Sequence, residues 1–266
     1  MMTTLMQAFP VFLLMFCRIT SFFIVAPLIS SRNVPTRFKV GLATIVALLV
    51  YLSYGVNQTA AFDGSYVLLI VREILIGLML GYVANLILVS IQIAGAILDI
   101  QMGFGMATVF DPTSGMVTPL TGQFKYMIAM LLFLAMNGHH RLLDAIVYSY
   151  NWVPIDNRLF TEISNGNLME FFLKAFAAAM VIAFQMAAPI VVALFLTDVG
   201  LGFLAKTAPQ FNIFVIGIPI KIIVGLILLL LLMPSLTYIF DNLFLLMSET
   251  MQGFLGTVGE RPGSGG

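Results

Sequence analysis

The chain has 266 residues, of which 61% are hydrophobic and only 9% are charged, and its formal net charge at pH 7 is zero. Soluble globular proteins average about 25% charged residues, so this composition and a mean hydropathy of +1.06 exclude a soluble domain and indicate an integral membrane protein. The apolar runs are continuous rather than alternating, which indicates membrane helices rather than a transmembrane barrel.

The N-terminal part predicts two apolar segments joined by a basic loop. Residues 5–28 contain Arg18, which should face protein or water because a cation at the membrane centre costs about 2.5–3.5 kcal/mol. The loop at residues 30–39 holds three basic residues and no acidic one, so we place it on the cytoplasmic side. Residues 40–54 form the second segment, which is short for a span of about 20 residues.

A long apolar run follows at residues 66–100, interrupted by a few polar and charged side chains. At about 1.5 Å per helical residue it exceeds one membrane crossing by a wide margin. It therefore predicts either one tilted, overlong helix or two helices with a break near Gly77, Gly81 or Gly95.

Residues 101–122, QMGFGMATVFDPTSGMVTPLTG, form the stretch around which the chain is organised. Glycine and proline recur in it too often for one regular helix, yet it is mostly apolar and Asp111 is its only charge. Irregular backbone survives at membrane depth only inside protein or along a water-filled cavity. We predict a re-entrant or lumen-facing loop that could seal a pore in one state and admit an unfolded chain in another. The alternative is an ordinary connecting loop packed on helix ends.

The second half of the chain predicts shorter helices separated by proline, glycine and polar residues. Pro189 is expected to kink or end its helix, and breaks are expected at residues 200–212 and at Pro234. Trp152, beside Tyr148 and Tyr150, is expected to anchor its segment at the membrane interface. The expected helices cover residues 123–136, 142–150, 165–185, 190–199 and 213–233, followed by an amphipathic helix from Pro234 to about Gly256. Residues 1–256 are expected to form one helical domain, and residues 257–266 a flexible, glycine-rich tail.

No catalytic constellation is present in the sequence. It contains neither a phosphate loop of the type G-x-x-x-x-G-K-[ST] nor a G-x-S-x-G nucleophile motif. His139 and His140 are adjacent, so they cannot act as an i,i+4 metal pair. We therefore expect no enzymatic activity, no metal and no cofactor, and the zero net charge gives no indication of nucleic acid as a partner.

Several charged residues lie within or beside apolar segments, where such residues usually pair or line a pathway. They are Arg18, Arg72, Glu73, Asp99, Lys125, Lys174, Asp198, Lys206 and Lys221. Arg72 and Glu73 occupy adjacent helix positions, so we expect them to need separate partners. Asp198 and Lys221 flank the second break and could meet across a helical hairpin.

Several motifs of the chain resemble those of a known family. The runs QMGFGMATVFDPTSG, LLFLAMNGHHRLL and AKTAPQFNIFVIGIPIKIIVGL are similar to the FliR family of flagellar type III export-gate proteins. The early segments SSRNVPTRFKVGLA and REILIGLMLGY match as well, so the resemblance covers nearly the whole chain, to about Met247.

The resemblance implies an all-α membrane subunit with long, kinked helical hairpins, in the bacterial inner membrane at the flagellar basal body. It implies assembly with FliP and FliQ, with FlhB and FlhA as neighbours and unfolded flagellar proteins as cargo. By motif match the channel plug is the loop from Gly103 to Thr121, with Phe110 as the obstructing side chain. The other residues assigned to the plug are Met106, Asp111, Pro112, Gly115 and Met116, and Met102 is a candidate gasket residue. Lys221 resembles a lysine in the last span of FliP and is expected to join an intersubunit ion pair.

Three alternatives remain, the third being a membrane-embedded enzyme that uses His139 or His140. The first is the homologous subunit of a virulence type III secretion system. The second, from another class, is an ion-coupled secondary transporter with Glu73, Asp99 and Asp198 as coupling residues. That class commonly shows inverted internal repeats, and the sequence shows no convincing repeat.

Overall fold

A computed structural model gives the fold of the chain. It describes residues 2–56, 58, 64, 66–104, 119–153, 158–210 and 212–259, with backbone only at residues 2–7, 158, 161, 213 and 214. Within these ranges the secondary structure is helical, with no strand. The helices are α1 (Met2–Val25), α2 (Thr36–Val50) with a π-helical turn at Tyr51–Gly55, α3 (Tyr66–Met102), α4 (Leu120–Ala135), α5 (Gly138–Trp152), α6 (Arg158–Ser164), α7 (Asn167–Thr207) and α8 (Ile213–Val258). The all-α prediction is confirmed.

Helix α3 is one continuous helix of 37 residues, which decides between the two predicted alternatives in favour of the overlong helix. Its glycines mark close packing rather than a break. A Cβ atom on Gly77 would collide with the Arg18 carbonyl and the Ser21 side chain of α1, and one on Gly81 would press on the backbone of Phe22. Small residues at this face therefore allow α1 and α3 to approach closely.

Helices α7 and α8 are also continuous, so α7 does not end at Pro189 and the break predicted at Pro234 is wrong. The break predicted at residues 200–212 is present but shorter. Helix α7 contains Pro189 in its 41 residues, and α8 contains Pro219 and Pro234 in its 46 residues. A proline removes one backbone hydrogen bond, whereas ending a helix in an apolar setting would leave several backbone groups without partners. The interruption between these helices is confined to residues 208–212.

The chain divides into two compact units. Unit 1 comprises Met1–Ile87, Met136–Phe176 and Phe244–Gly266, and unit 2 comprises Leu88–Ala135 and Ala177–Leu243. In unit 1 the buried side chains of α1, among them Leu14, Ile19 and Phe22, recur at helical spacing. In unit 2 the C-terminal half of α3 supplies a comparable stripe, while α7 buries mainly small residues such as Ala179 and Ala183. The prediction of a single domain stays a prediction.

Five helices in the described ranges are long and apolar enough to cross a membrane, namely α1, α2 with its π-helical turn, α3, α7 and α8. They differ in how much of their surface the chain itself covers. In the most apolar 18-residue window of each helix, 56% of the residues of α3 are buried but only 17% of those of α8. Helix α3 is therefore a core element, and this window of α8 leaves much apolar surface available to lipid or to other proteins.

Candidate functional site

The most buried polar cluster lies in unit 1 and is built around the carboxylate of Glu73. Arg18 of α1 donates to it through Nε (2.5 Å to Oε2) and Nη2 (2.9 Å to Oε1), a bidentate pair. Arg72 donates through Nη1 to Oε1 at 2.8 Å. All three side chains are fully buried. The prediction that Arg72 and Glu73 need separate partners is therefore wrong, since the long arginine side chain bends back to its neighbour on the same helix.

Arg18 extends this cluster to α5. Its Nη1 donates to Ser149 Oγ and its Nη2 to the Val153 carbonyl oxygen, both at 3.1 Å. The guanidinium carbon also lies 4.2 Å from the centre of the Tyr150 ring, in cation–π geometry. The Tyr150 hydroxyl donates to the Met15 carbonyl at 3.0 Å, and burial raises the pKa of the Tyr150 phenol, which keeps it a neutral donor. The cluster therefore fastens α1, α3 and α5 together.

In unit 2, Asp99 and Thr121 join the end of α3 to the start of α4. The Asp99 carboxylate accepts the Thr121 backbone N–H at 3.2 Å, and the Thr121 hydroxyl lies 2.6 Å from Asp99 Oδ1 and 2.8 Å from the Gly95 carbonyl. A carboxylate at a helix N-terminus satisfies free backbone donors and complements the helix dipole. A Cβ atom on Gly95 would collide with the Gly122 backbone, so the two helices touch here. We call this arrangement the Asp99–Thr121 clamp.

The C-terminal end of α3 includes the first residues of the stretch at 101–122, and these residues are packed against other parts of the chain. Gly103 has a φ of +89°, in the left-handed region that commonly ends helices, and the Phe104 N–H donates to the Asp99 carbonyl at 2.9 Å. The Met102 side chain is fully buried, and a Cβ atom on Gly225 of α8 would collide with it. Met102, predicted as a gasket residue, is thus packed inside the chain, because the flexible thioether fills the space over a glycine.

The remaining residues assigned to the plug fall outside the described part of the chain. They are Met106, Phe110, Asp111, Pro112, Gly115 and Met116. Their roles stay predictions. The structure places the two ends of the segment that contains them, at Gly103 and at Thr121.

A second polar cluster in unit 2 contains the pair proposed from the sequence. Lys221 of α8 lies 3.0 Å from Asp198 of α7, and Gln101 Nε2 donates to Asp198 Oδ2 at 3.3 Å. The side chains of Lys221 and Asp198 are 19% and 39% exposed. The two residues do meet within the chain, whereas the intersubunit role of Lys221 stays a prediction. Sequence reasoning missed Gln101, although an amide at the end of an apolar helix was a usable signal.

Two of the predicted buried charges are exposed in this chain. Lys206 lies in the last turn of α7, where a cation complements the helix dipole. Lys174 forms an exposed i,i+4 pair with Glu170 at 2.6 Å. Position within an apolar helix is a poor guide here because a lysine side chain on the outer face reaches away from the core. Lys125, in contrast, is 2% exposed, as expected for a buried charge.

The two histidines lie side by side with their ring centres 4.2 Å apart. Among the residues that the structure describes, no group of three or more His, Cys, Asp or Glu side chains could hold a metal ion. The polar clusters around Glu73, Asp99 and Asp198 are each engaged by backbone donors, guanidinium groups, an amide or an ammonium group. Their chemistry is that of fastening helices together.

Comparison with known proteins gives a consistent result over nearly the whole chain. The sequence model of the family described as bacterial export proteins, family 1, matches residues 9–247. The chain is 42% identical to the flagellar biosynthetic protein FliR of Bacillus subtilis (strain 168), over 97% of this chain and 99% of that protein. It is 34% identical to the protein of the same name from Escherichia coli (strain K12), over 85% of each. It is 31% identical to the Yop proteins translocation protein T of Yersinia pestis, over 80% of this chain and 81% of that protein.

Proposed function

The chain belongs to the bacterial export proteins, family 1, and is a flagellar type III export-gate subunit; on this premise we propose that residues 103–121 close the channel of that gate. The flagellar assignment rests on the higher identity to FliR proteins, 42% and 34%, than to the virulence homologue, at 31%. The virulence alternative is not favoured.

The observation that carries the plug proposal is that the segment leaves and returns at one place. Asp99 lies just before the segment and Thr121 closes it, yet their side chains are in hydrogen-bond contact at 2.6 Å. The bounded stretch is mostly apolar, and Asp111 is its only charge. A mostly apolar excursion fixed at both ends fits a re-entrant loop, because irregular backbone at membrane depth needs protein or a lumen around it.

We also propose the finer identity of the partners and the location. The membrane assignment follows from the helices, and the family is a component of an export apparatus. Export through a gate needs several subunits around one conduit, and we propose FliP and FliQ as the subunits that pack on this chain, with FlhB and FlhA adjacent, in the bacterial inner membrane. The chain itself catalyses no reaction in this proposal; it shapes the conduit for unfolded flagellar proteins.

The experiment that tests the plug is a leak measurement on assembled gates. Replacing residues 106–116 by a short Gly/Ser linker should raise the permeability of the membrane to ions or small solutes, while the other subunits still co-purify with the chain. Phe110→Ala should raise the leak to a smaller extent. Phe38→Ala is the matched control, because Phe38 is an exposed phenylalanine of α2 and is not part of the segment. An assembled gate whose leak is unchanged by the linker would overturn the plug role and leave the subunit assignment standing.

The transporter alternative gains no support from the three carboxylates it would use. Glu73 is held by two guanidinium groups in unit 1. In unit 2, Asp99 caps α4, and Asp198 pairs with Lys221. Each carboxylate is engaged in a separate network, which is the arrangement expected of structural ion pairs.

A further inference from the structure

A cavity of about 400 Å³ lies in unit 1 between α5 and the C-terminal part of α8, and none of its lining residues belongs to the polar clusters described above. The cavity opens to the surface as a groove, and leucine and alanine side chains form part of its walls. Its polar lining consists of Arg141, Asp144, Tyr148 and Trp152 from α5, and Ser248 and Gln252 from α8. The polar and aromatic residues of α5 recur every three or four positions, so they project from one face of that helix.

One end of the groove presents a cation and an anion that have no side-chain partner among the residues that the structure describes. Arg141 and Asp144 stand one helical turn apart, where an opposite-charge pair often forms. Within the described part of the chain neither forms an ion pair or a side-chain hydrogen bond. Both groups are therefore available to a ligand that carries the two opposite charges close together.

The composition of the groove is typical of the boundary between the membrane and water. Tyrosine and tryptophan concentrate at that depth, where their rings are in contact with both media. The part of α8 that lines the groove carries Ser248, Glu249 and Gln252 among its leucines, unlike the uninterrupted apolar run earlier in the same helix. A ligand in this groove would meet charged groups at one end and apolar walls beside them.

We propose that this groove binds the headgroup of a zwitterionic phospholipid with a primary ammonium group, that is, phosphatidylethanolamine. The planar Arg141 guanidinium suits a phosphate, to which it donates two N–H groups at once. The Asp144 carboxylate accepts hydrogen bonds from the ammonium group and disfavours a lipid that is anionic throughout. Tyr148, Ser248 and Gln252 offer further hydrogen-bonding groups, and the acyl chains extend along the apolar surface of α8.

The test compares two lipids of equal acyl chains on the delipidated full-length protein in detergent. Bound phosphatidylethanolamine and phosphatidylglycerol are counted by native mass spectrometry as each lipid is added. The native chain should prefer the ethanolamine lipid by about fivefold or more, since hydrogen bonds between charged groups are the stronger ones. Arg141→Gln should reduce binding of both lipids. Asp144→Asn should remove the preference, because it should weaken binding of phosphatidylethanolamine and strengthen binding of phosphatidylglycerol.

Controls separate a groove effect from a general charge effect. Glu170→Gln and Lys174→Gln alter an exposed ion pair of the same unit that does not line the groove, and both should leave the preference unchanged. Ser248→Leu fills the groove without changing charge and should reduce binding of both lipids. Far-UV circular dichroism and thermal unfolding establish that each variant is folded.

Several results would overturn the proposal. Equal binding of both lipids by the native chain would do so, as would a preference that survives Asp144→Asn. Loss of the bound lipid when the chain is purified with its partner subunits would show that protein covers the groove instead. The proposal does not depend on the plug, so its failure would leave the channel assignment untouched.

Discussion

Glu73 lies at the centre of the buried polar network of unit 1, where its carboxylate accepts hydrogen bonds from Arg18 and Arg72. Its two donors are as deeply buried as the carboxylate itself. Replacing such a group by well-packed apolar residues together with its partners can be tolerated, whereas removing one partner alone leaves an uncompensated charge. The network therefore makes the stability of unit 1 sensitive to this single residue.

We predict that Glu73→Gln lowers the free energy of unfolding by about 3–5 kcal/mol, because it leaves two buried guanidinium groups beside a neutral amide. Unfolding of the purified chain by a denaturing detergent, followed by circular dichroism, measures the change. Glu170→Gln is the matched control on an exposed pair and should leave the midpoint nearly unchanged. Similar midpoints for the two variants would contradict the structural role of the network.

At the residue scale, the sequence predicted which charged residues are buried better than it predicted which of them are in contact. Arg18 was expected to face protein or water, and it faces protein, because a cation in an apolar segment is costly in contact with lipid. The Asp198–Lys221 contact was also accessible, since both residues flank one short turn. The binding of both Arg18 and Arg72 to Glu73 could not be predicted. Spacing rules describe where Cβ atoms point and not how far an arginine side chain bends back. The Asp99–Thr121 contact needs two helix ends to be placed together, which local pattern cannot do.

At the scale of elements, the packing of α3 on α4 depends on the absence of side chains at one crossing. Gly95 and Gly122 face each other so closely that a Cβ atom on Gly95 would collide with the Gly122 backbone. The same crossing brings Asp99 to Thr121. Any side chain at position 95 must therefore move the helices apart and disturb the clamp.

Gly95→Ala should destabilise the chain by about 1–3 kcal/mol, the cost typical of overpacking. Gly41→Ala, in α2, is a control of identical chemistry. Nothing lies within 4 Å of a Cβ atom at Gly41, so the better helix propensity of alanine should leave stability unchanged or raise it by up to about 1 kcal/mol. Unfolding midpoints of the two variants provide the measurement, and a neutral Gly95→Ala would argue against the close crossing.

Helix positions were predictable from the apolar runs, but helix ends were not. The continuous run of residues 66–100 anticipated α3 within two residues at its C-terminal end. No helix ends at Pro189 or at Pro234. Proline ends helices in water because water satisfies the freed backbone groups, whereas an apolar environment penalises any further loss of helical hydrogen bonds. The short helix α6 carries little apolar pattern and was missed for that reason.

At the scale of the whole molecule, α7 and α8 have the composition of membrane-spanning helices, but both are much longer than a membrane is thick. At about 1.5 Å per residue they extend roughly 61 and 69 Å, against a hydrocarbon core of about 30 Å. Exposed apolar residues occur from Met169 to Leu204 on α7, which is nearly its full length, and from Val215 to Leu245 on α8. Lipid cannot cover all of these residues at once, and water would be an unfavourable neighbour for them. We therefore expect other protein subunits to cover part of the exposed apolar surface of these two helices.

Met169 and Phe203 provide the sharpest test of this conclusion, since both are about two-thirds exposed and lie 34 positions apart on α7. The distance between them along the helix is about 51 Å, and about 39 Å after a 40° tilt, so at least one lies outside the hydrocarbon. A photo-crosslinking amino acid at each position should therefore yield, at one or both, an adduct with another export-gate subunit in cells that assemble the gate. In cells that produce the chain alone the adduct should be absent. Ala183, buried on the same helix, is the matched position and should give only crosslinks within the chain. If neither exposed position captured a protein in assembled gates, the excess apolar length of α7 would need another explanation than subunit packing.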